Sequence, residues 1–280
     1  MRIFVAGATG AIGRYLLPKL IEQGHEVTGS TRLEDRVREI ESTGARATVV
    51  NAFDRTGMMA AVAESQPDVV IHQLTALSNR DFAETSRIRE EGTRNLVDAA
   101  LAVGVQHIIA QSIAFAYERG ELPATEAVEL DVHAQMPRRR LVEAVKRLEE
   151  TVAEMQHYVV LRYGAFYGPG TFYANDGFIA HQIRQGQISA TDAVTSFIHI
   201  EDAATATVAA LGWPAGVYNI VDDEPVRGYD WIPAYARALC APAPGVEAGR
   251  EGWERGASNA KARQQGWHPE RDTWRFLLMQ

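Results

Sequence analysis

With 280 residues and 46% hydrophobic content, the chain can bury a sizeable core, as one large domain or one domain with a smaller lobe. Its formal net charge of -8 argues against nucleic acid as the main partner, because phosphate contacts need a basic face. The lone cysteine, Cys240, excludes an internal disulfide and fits a reducing cytoplasm, and no apolar run approaches the roughly 20 residues of a membrane span.

Strand and helix signals then alternate. "RIFVAG" is a short apolar run closed by glycine, which predicts a buried first strand; the apolar part is too short for a leader peptide. "AIGRYLLPKLIEQG" has helical spacing at Ile12, Leu16, Leu20 and Ile21, with Gly24 to close it. "HEVTGSTR" reads as a second strand, "LEDRVREIESTG" as a helix, "ARATVVNAF" as a third strand and "RTGMMAAVAESQ" as a helix. "DVVIHQL" gives a fourth strand, about 81 to 103 one long helix, and "VQHIIAQS" a fifth strand. "RRRLVEAVKRLEETVAEM" is helical, with an apolar stripe at Leu141, Val145, Leu148 and Val152, and "HYVVLRYG" is a sixth strand. The cluster Arg138 to Arg140 reads as a solvated helix start.

Such alternation predicts an α/β fold: a Rossmann-type, doubly wound parallel sheet covered on both faces. Beyond Gly170 the pattern loosens, and glycine, proline and aromatics rise. "FIHIEDAATATVAAL" and "GVYNIVDD" return as one helix and one strand signal. The expected division is a dinucleotide-binding domain over 1–165 plus about 195–221, and a small C-terminal substrate lobe over about 166–194 plus 222–280.

"AGATGAIGRYL" follows the first strand and opens the first helix, so Gly7, Gly10 and Gly13 stand as G-x-x-G-x-x-G in a strand-turn-helix setting. The physics is that of a pyrophosphate cradle. Gly7 permits the turn, Gly10 the approach of phosphate and Gly13 the packing of helix on strand, while the helix N-terminus offers free N–H groups. Thr9, Ala11 and Ile12 belong to the same loop. At the end of the second strand stand Thr31 and Arg32, with no acid before Glu34. Thr31 can donate a hydroxyl and Arg32 can fork onto a 2′-phosphate, which predicts NADP over NAD. The competing reading makes Arg32 a surface cap and Glu34 the ribose ligand.

With these motifs in order, the chain resembles the short-chain dehydrogenase/reductase superfamily, and within it the extended branch, the NAD-dependent epimerase/dehydratase family. "GATGAIG" is similar to the family's cofactor loop. "VVNAFD" resembles its D-x-x-D, which implies Asn51 and Ala52 at adenine and Asp54 as a helix cap. "DVVIHQLTA" is similar to "VIHLAA", and the matching Gln73, Leu74 and Thr75 would pass the cofactor. "LRYGAFYGPGT" resembles the arginine-to-GPG segment, placing Tyr163, Gly164 and Ala165 beside the nicotinamide. "FIHIEDAATA", "GVYNIVDDEPV" and "SNAKARQQGWHPE" resemble later family segments, with Asp202 as a helix cap. A homodimer is implied by analogy.

The resemblance also implies catalysis by a hydroxyl residue, a tyrosine and a lysine, and here the chain departs twice. Aligned on Tyr117, the hydroxyl position falls on Ile113, with Ser112 one residue earlier and so facing the other way unless the strand end is bulged; otherwise Ser112 bonds nearby backbone. If Glu150 rather than Glu149 marks the family's glutamate, Lys146 falls in the lysine position and Val142 in that of the tyrosine. Shifted by one, the positions hold Val145 and Leu141. Lys146 either holds the nicotinamide ribose or is a solvated helix lysine. Tyr117 is the first choice for a substitute acid, ahead of Tyr163 and Tyr167; alternatively substrate or water carries the proton.

The implied function is an NADP-dependent oxidoreductase or epimerase/dehydratase-like enzyme. Its substrate would be a small, partly apolar, hydroxyl- or carbonyl-bearing molecule. The alternative is an NADP-binding protein without redox turnover, a regulator or a non-redox isomerase or cyclase. Phe166, Tyr167 and Phe172, with Tyr117, would line the substrate, or else pack the lobe. A nucleotide sugar ranks lower, because the lobe shows no clear arginine pair for a diphosphate. The eight histidines have no metal spacing, and His72, His107 and His199 read as core or edge positions. Asp222 to Glu224 reads as a solvated turn.

Overall fold

The computed structural model describes residues 1–77 and 80–280. Its elements in chain order are β1 (Arg2–Ala6), α1 (Gly13–Glu22), β2 (Glu26–Thr31), α2 (Val37–Glu41), β3 (Arg46–Val49), α3 (Arg55–Ser65), β4 (Val69–His72), α4 (Phe82–Arg87), α5 (Thr93–Ala102) and β5 (His107–Ile113). Then follow α6 (Arg138–Val152), β6 (His157–Tyr163), β7 (Ala165–Tyr167), α7 (Phe178–Arg184), β8 (Val194–Thr195), β9 (Phe197–His199), α8 (Ile200–Ala209), β10 (Gly216–Ile220), β11 (Val226–Arg227), α9 (Gly228–Ala238) and α10 (Ala260–Gln264).

A seven-stranded sheet runs in the order β10-β6-β5-β4-β1-β2-β3, and the β1–β2, β1–β4, β2–β3 and β4–β5 pairs are parallel. The chain leaves β1 toward β2 on one side and reaches β4 on the other, the topological switch point at which such sheets hold ligands. Phe4 pairs with Val70 and Val70 with Ile108, so one row of apolar side chains crosses the sheet. Leu96 and Val97 of α5 and Leu148 and Val152 of α6 belong to the same buried cluster. Each such side chain contributes about 1.5–3 kcal/mol on burial. On α6 the buried stripe is Val142, Ala144, Val145, Leu148 and Val152; Leu141 is half-buried.

The segment read as one long helix is two. A π-turn, Ile88–Gly92, joins α4 to α5. Its cause is side-chain chemistry: Leu74 N–H donates to His72 Nδ1 at 3.2 Å, leaving Nε2 to donate to Thr93 Oγ1 at 2.8 Å. The Thr93 hydroxyl then donates to the Ile88 carbonyl at 3.3 Å, bonding across the widened turn.

The chain divides into two compact units. The first comprises Met1–Ser112, Val132–Leu161 and Ala204–Val217. The second comprises Ile113–Asp131, Arg162–Ala203 and Tyr218–Gln280. It is built on two small sheets, parallel β7–β9 and antiparallel β8–β11, around a core that includes Tyr167, Phe197, Trp231, Tyr235, Trp274 and Leu277. Phe197 and Trp231 meet edge to face, ring centroids 5.4 Å apart.

The boundaries differ from those expected, since 113–131, 162–165, 195–203 and 218–221 fold with the second unit. Long-range bonds draw the segment after β5 there. Ala124 N donates to Gly256 O at 2.9 Å, and Tyr117 to Asn219. No helix of the described residues is long and apolar enough to cross a membrane.

Candidate active site

The glycine loop turns where β1 ends. Gly7 has φ +86°, and a Cβ there would lie 2.7 Å from the Gln73 carbonyl oxygen, so only glycine fits. A Cβ on Gly13 would collide with the Ala8 backbone, whereas one on Gly10 would meet nothing nearer than Gly7 O at 3.3 Å. The side of the loop at Gly10 is therefore open. α1 begins at Gly13 with no side-chain cap from Ile12; Gly13 N donates to Gly10 O and Tyr15 N to Ile12 O, both at 3.1 Å, and the positive end of the helix dipole remains for an anion. These features fit a dinucleotide pyrophosphate.

The rest of the predicted cofactor rim in the first unit is ordered by its own bonds. Thr9 Oγ1 lies 3.4 Å from the buried Thr31 Oγ1, which also accepts from Leu33 N at 3.2 Å. Arg32 pairs with Glu84 at 2.8 Å and is partly exposed. Asn51 is exposed and accepts from Phe53 N at 3.0 Å, while Asn95 Nδ2 donates to Ala52 O at 2.9 Å. Asp54 caps α3 as expected, accepting from Gly57 N at 2.9 Å. Gln73 extends the β1–β4 ladder, its N–H donating to Ala6 O at 2.8 Å. Leu74 O accepts from Gln111 Nε2 at 3.3 Å, and Thr75 is exposed.

The catalytic candidates in this unit are engaged in local bonds. Lys146 is half-exposed, with Nζ 3.7 Å from Glu150 of its own helix face. Glu149 is the glutamate that turns inward, and it accepts the Ser112 hydroxyl at 2.7 Å. Counting back from Glu149 by fours gives Val145 and Leu141, the register that sequence reasoning set aside. Ser112 is buried and spends its proton on a side chain, not on nearby backbone. Burial and the nearby Arg89 charge pull His72 down to about 4, so it is neutral in this setting.

In the second unit, Tyr117 is buried and donates to Asn219 Oδ1 at 2.5 Å. The orientation of Asn219 follows from its other bonds: Nδ2 donates to Ala124 O and Ser258 O, both at 3.1 Å. The Arg162 guanidinium lies 4.8 Å from the centre of the Tyr117 ring. Ile113, which the resemblance would put at the hydroxyl position, is buried.

Gly164 N donates to Ile220 O at 3.0 Å and Ala165 N to Ser196 O at 2.9 Å. These bonds hold the strand that carries Tyr163, whose ring meets Phe166 at 5.1 Å. Phe166 and Phe172 are half-buried. Tyr167 belongs to the lobe core, fully buried and edge-on to His199, so packing accounts for it. Asp222, expected in a solvated turn, retains 1% of its surface. Its carboxyl is raised to about 9, by burial first and then by neighbouring acids.

Sequence reasoning missed two residues. Arg89 lies inside a run, "RIREEG", whose helical spacing hides the π-turn. Glu149 is next to another glutamate, and only the helix face separates them. Among the described residues, no group of three histidine, cysteine or acidic side chains is placed to hold a metal ion.

A model of the NAD-dependent epimerase/dehydratase family matches residues 3–220. A 3-diazoavenalumate denitrifying reductase from a Streptomyces species is 41% identical, with 98% of each chain covered. A UDP-N-acetyl-alpha-D-glucosaminuronate decarboxylase from Bacillus cytotoxicus is 27% identical over 75% of this chain and 71% of its own. Among solved structures, the Thermus thermophilus UDP-glucose 4-epimerase complex with NAD superposes with a TM-score of 0.76 at 25% identity, covering 100% of this chain and 98% of that one. The Campylobacter jejuni UDP-Glc/GlcNAc 4-epimerase gives 0.79 at 19% identity, over 99% and 96%.

Proposed function

The chain belongs to the NAD-dependent epimerase/dehydratase family, and from that premise we propose that it is an NADP-dependent reductase of a small diazo compound. Support for the substrate comes from the identity to a denitrifying reductase, which extends over nearly all of both chains. The observation that carries the reading is the inward turn of Glu149. Counted from it, the two positions where the family places tyrosine and lysine hold Leu141 and Val145, neither of which can give or steer a proton.

Reduction of a carbonyl delivers a proton to oxygen, and a placed acid contributes about 10²–10⁴-fold to its rate. Loss of nitrogen from an arenediazonium carbon makes no such demand. When bound, the nicotinamide supplies a hydride. For an arenediazonium the balance is Ar–N₂⁺ plus hydride giving Ar–H plus N₂. A C–H bond forms, the C–N bond breaks, N₂ leaves with that electron pair, and no proton is consumed. Leu141 and Val145 are thus compatible with turnover, and Ser112 and Tyr117 keep their structural bonds throughout.

Gly7, Gly10 and Gly13, with Thr9, Ala11 and Ile12, cradle the pyrophosphate in this reading. Thr31 and Arg32 take the 2′-phosphate. The Arg32–Glu84 pair is partly exposed, so breaking it costs at most about 1 kcal/mol. In the first unit, Gln73 to Thr75 pass the nicotinamide in this reading.

The test is to supply NADPH with 3-diazoavenalumate and to measure cofactor oxidation and released N₂ together. One N₂ per NADPH oxidised is expected. NADPH bound and oxidised by carbonyl substrates, with no N₂ from the diazo compound, would reject the substrate class. Tighter binding of NADH than NADPH would reject the cofactor choice, and binding of neither would reject both.

A further inference from the structure

An arginine keeps its proton near neutral pH, so a buried guanidinium must find acceptors or bear the cost of lacking them. Arg89 retains 4% of its surface, and its Nε is enclosed with no acceptor among the described residues. It rides on the π-turn between α4 and α5, a device found frequently at functional sites. The extra residue carries Arg89 inward, while Arg87 and Glu91, on either side of it, stay exposed and pair with each other at 2.8 Å.

The surroundings of Arg89 define the place. Its charge acts on His72, the last residue of β4, and it feels the field of Glu149, which holds Ser112 near the end of β5. These are the carboxyl ends of adjacent parallel strands, the edge at which open α/β sheets bind their ligands. Burial outweighs the support from Glu149 and draws the guanidinium down to about 10. The cation at this edge is therefore short of negative charge.

We propose that Arg89 binds an oxyanion carried by the substrate, a carboxylate or a phenolate, at the carboxyl edge of β4 and β5. A planar guanidinium meets a planar oxyanion through paired N–H donors, so the residue selects anionic substrates by geometry as well as charge. The identification of the anion as substrate rests on the reductase reading; the buried cation and its unmet donor do not.

The experiment is calorimetric titration of the NADPH-loaded protein, native and with Arg89→Gln or Arg89→Lys. The probes are benzoate, 4-nitrophenolate and neutral 4-hydroxybenzamide. At least one of the anions is expected to bind the native protein, with affinity falling about tenfold or more in Arg89→Gln, the scale of one charge-assisted contact. Binding of the benzamide and of NADPH should change less than twofold. Arg89→Lys keeps the charge and loses the fork; an intermediate loss is expected, and it carries the test if Arg89→Gln fails to fold. Benzoate alone binding identifies a carboxylate, 4-nitrophenolate alone a phenolate. Equal affinity in native and variant protein, or no anion binding by the loaded native protein, overturns the inference. So does a loss confined to NADPH. If the native protein binds no cofactor, the reductase reading falls, and the same titrations on the free protein decide the role of Arg89 by the same criteria.

Discussion

Ser112 donates its hydroxyl to Glu149 across 2.7 Å, tying the end of β5 to α6. The bond fixes which face of α6 looks inward. Lys146 and Glu150 then share the outer face, where they pair at 3.7 Å. Val145, one turn before Glu149, is fully buried. On the proposed reading, the positions one and two turns before Glu149 are the apolar Val145 and Leu141, and the reaction has to proceed without a proton donor there.

Lys146→Ala is expected to change NADPH affinity less than twofold and stability by no more than about 0.5 kcal/mol, because an exposed i,i+4 pair contributes about that much. Fluorescence titration of NADPH and thermal unfolding check this. A tenfold loss of NADPH affinity would return Lys146 to the cofactor.

Tyr117→Phe removes the donor to Asn219 Oδ1, whose amide group is already committed on its other side. A buried acceptor left without its partner costs about 1–3 kcal/mol, so the melting temperature should fall by several degrees. The rate of N₂ release at a temperature where the variant is folded should stay within about twofold. A rate loss of 10²–10⁴-fold with unchanged stability would make Tyr117 the general acid.

Much of this was legible in the sequence because the signal was local. Apolar runs such as "RIFVAG" and "DVVIHQL" mark doubly buried strands, and Gly7 declares a turn that only glycine completes. The misreadings share a cause, which is that burial is set at long range. Asp222 lies in an acidic run, yet the lobe closes over it. Adjacent glutamates at 149 and 150 look alike until β5 chooses one. The π-turn at Ile88–Gly92 keeps a helical spacing and leaves no trace until His72, distant in sequence, takes the Thr93 hydroxyl.

Arg32→Glu tests the 2′-phosphate assignment. Arg32 is a partly exposed cation at the end of β2, and its pair with Glu84 yields at little cost. Loss of a charge-assisted contact, worth about 1.5–3 kcal/mol, should weaken NADPH about tenfold or more and leave NADH within threefold. Glu84→Gln frees Arg32 and should tighten NADPH slightly. Parallel losses for both cofactors in Arg32→Glu would show that Arg32 shapes the loop and reads no phosphate.

Asp222 predicts how stability depends on pH. In the folded protein its carboxyl is buried, with Oδ1 accepting from Glu224 N at 3.3 Å and Oδ2 without a partner among the described residues. Burial, then neighbouring acids, raise it from 3.8 to about 9. Below 3.8 both folded and unfolded chains hold the proton, and the group adds no pH dependence. As pH rises from there, the unfolded chain ionises first, so folding loses stability progressively until the folded carboxyl ionises near 9. Asp222→Asn keeps the acceptor for Glu224 N and cannot ionise. The variant should match the native protein near pH 4 and exceed it increasingly toward pH 9, by about 3 °C or more in melting temperature. A melting-temperature difference that stays constant across this range would mean that Asp222 ionises in the folded lobe as it does in water.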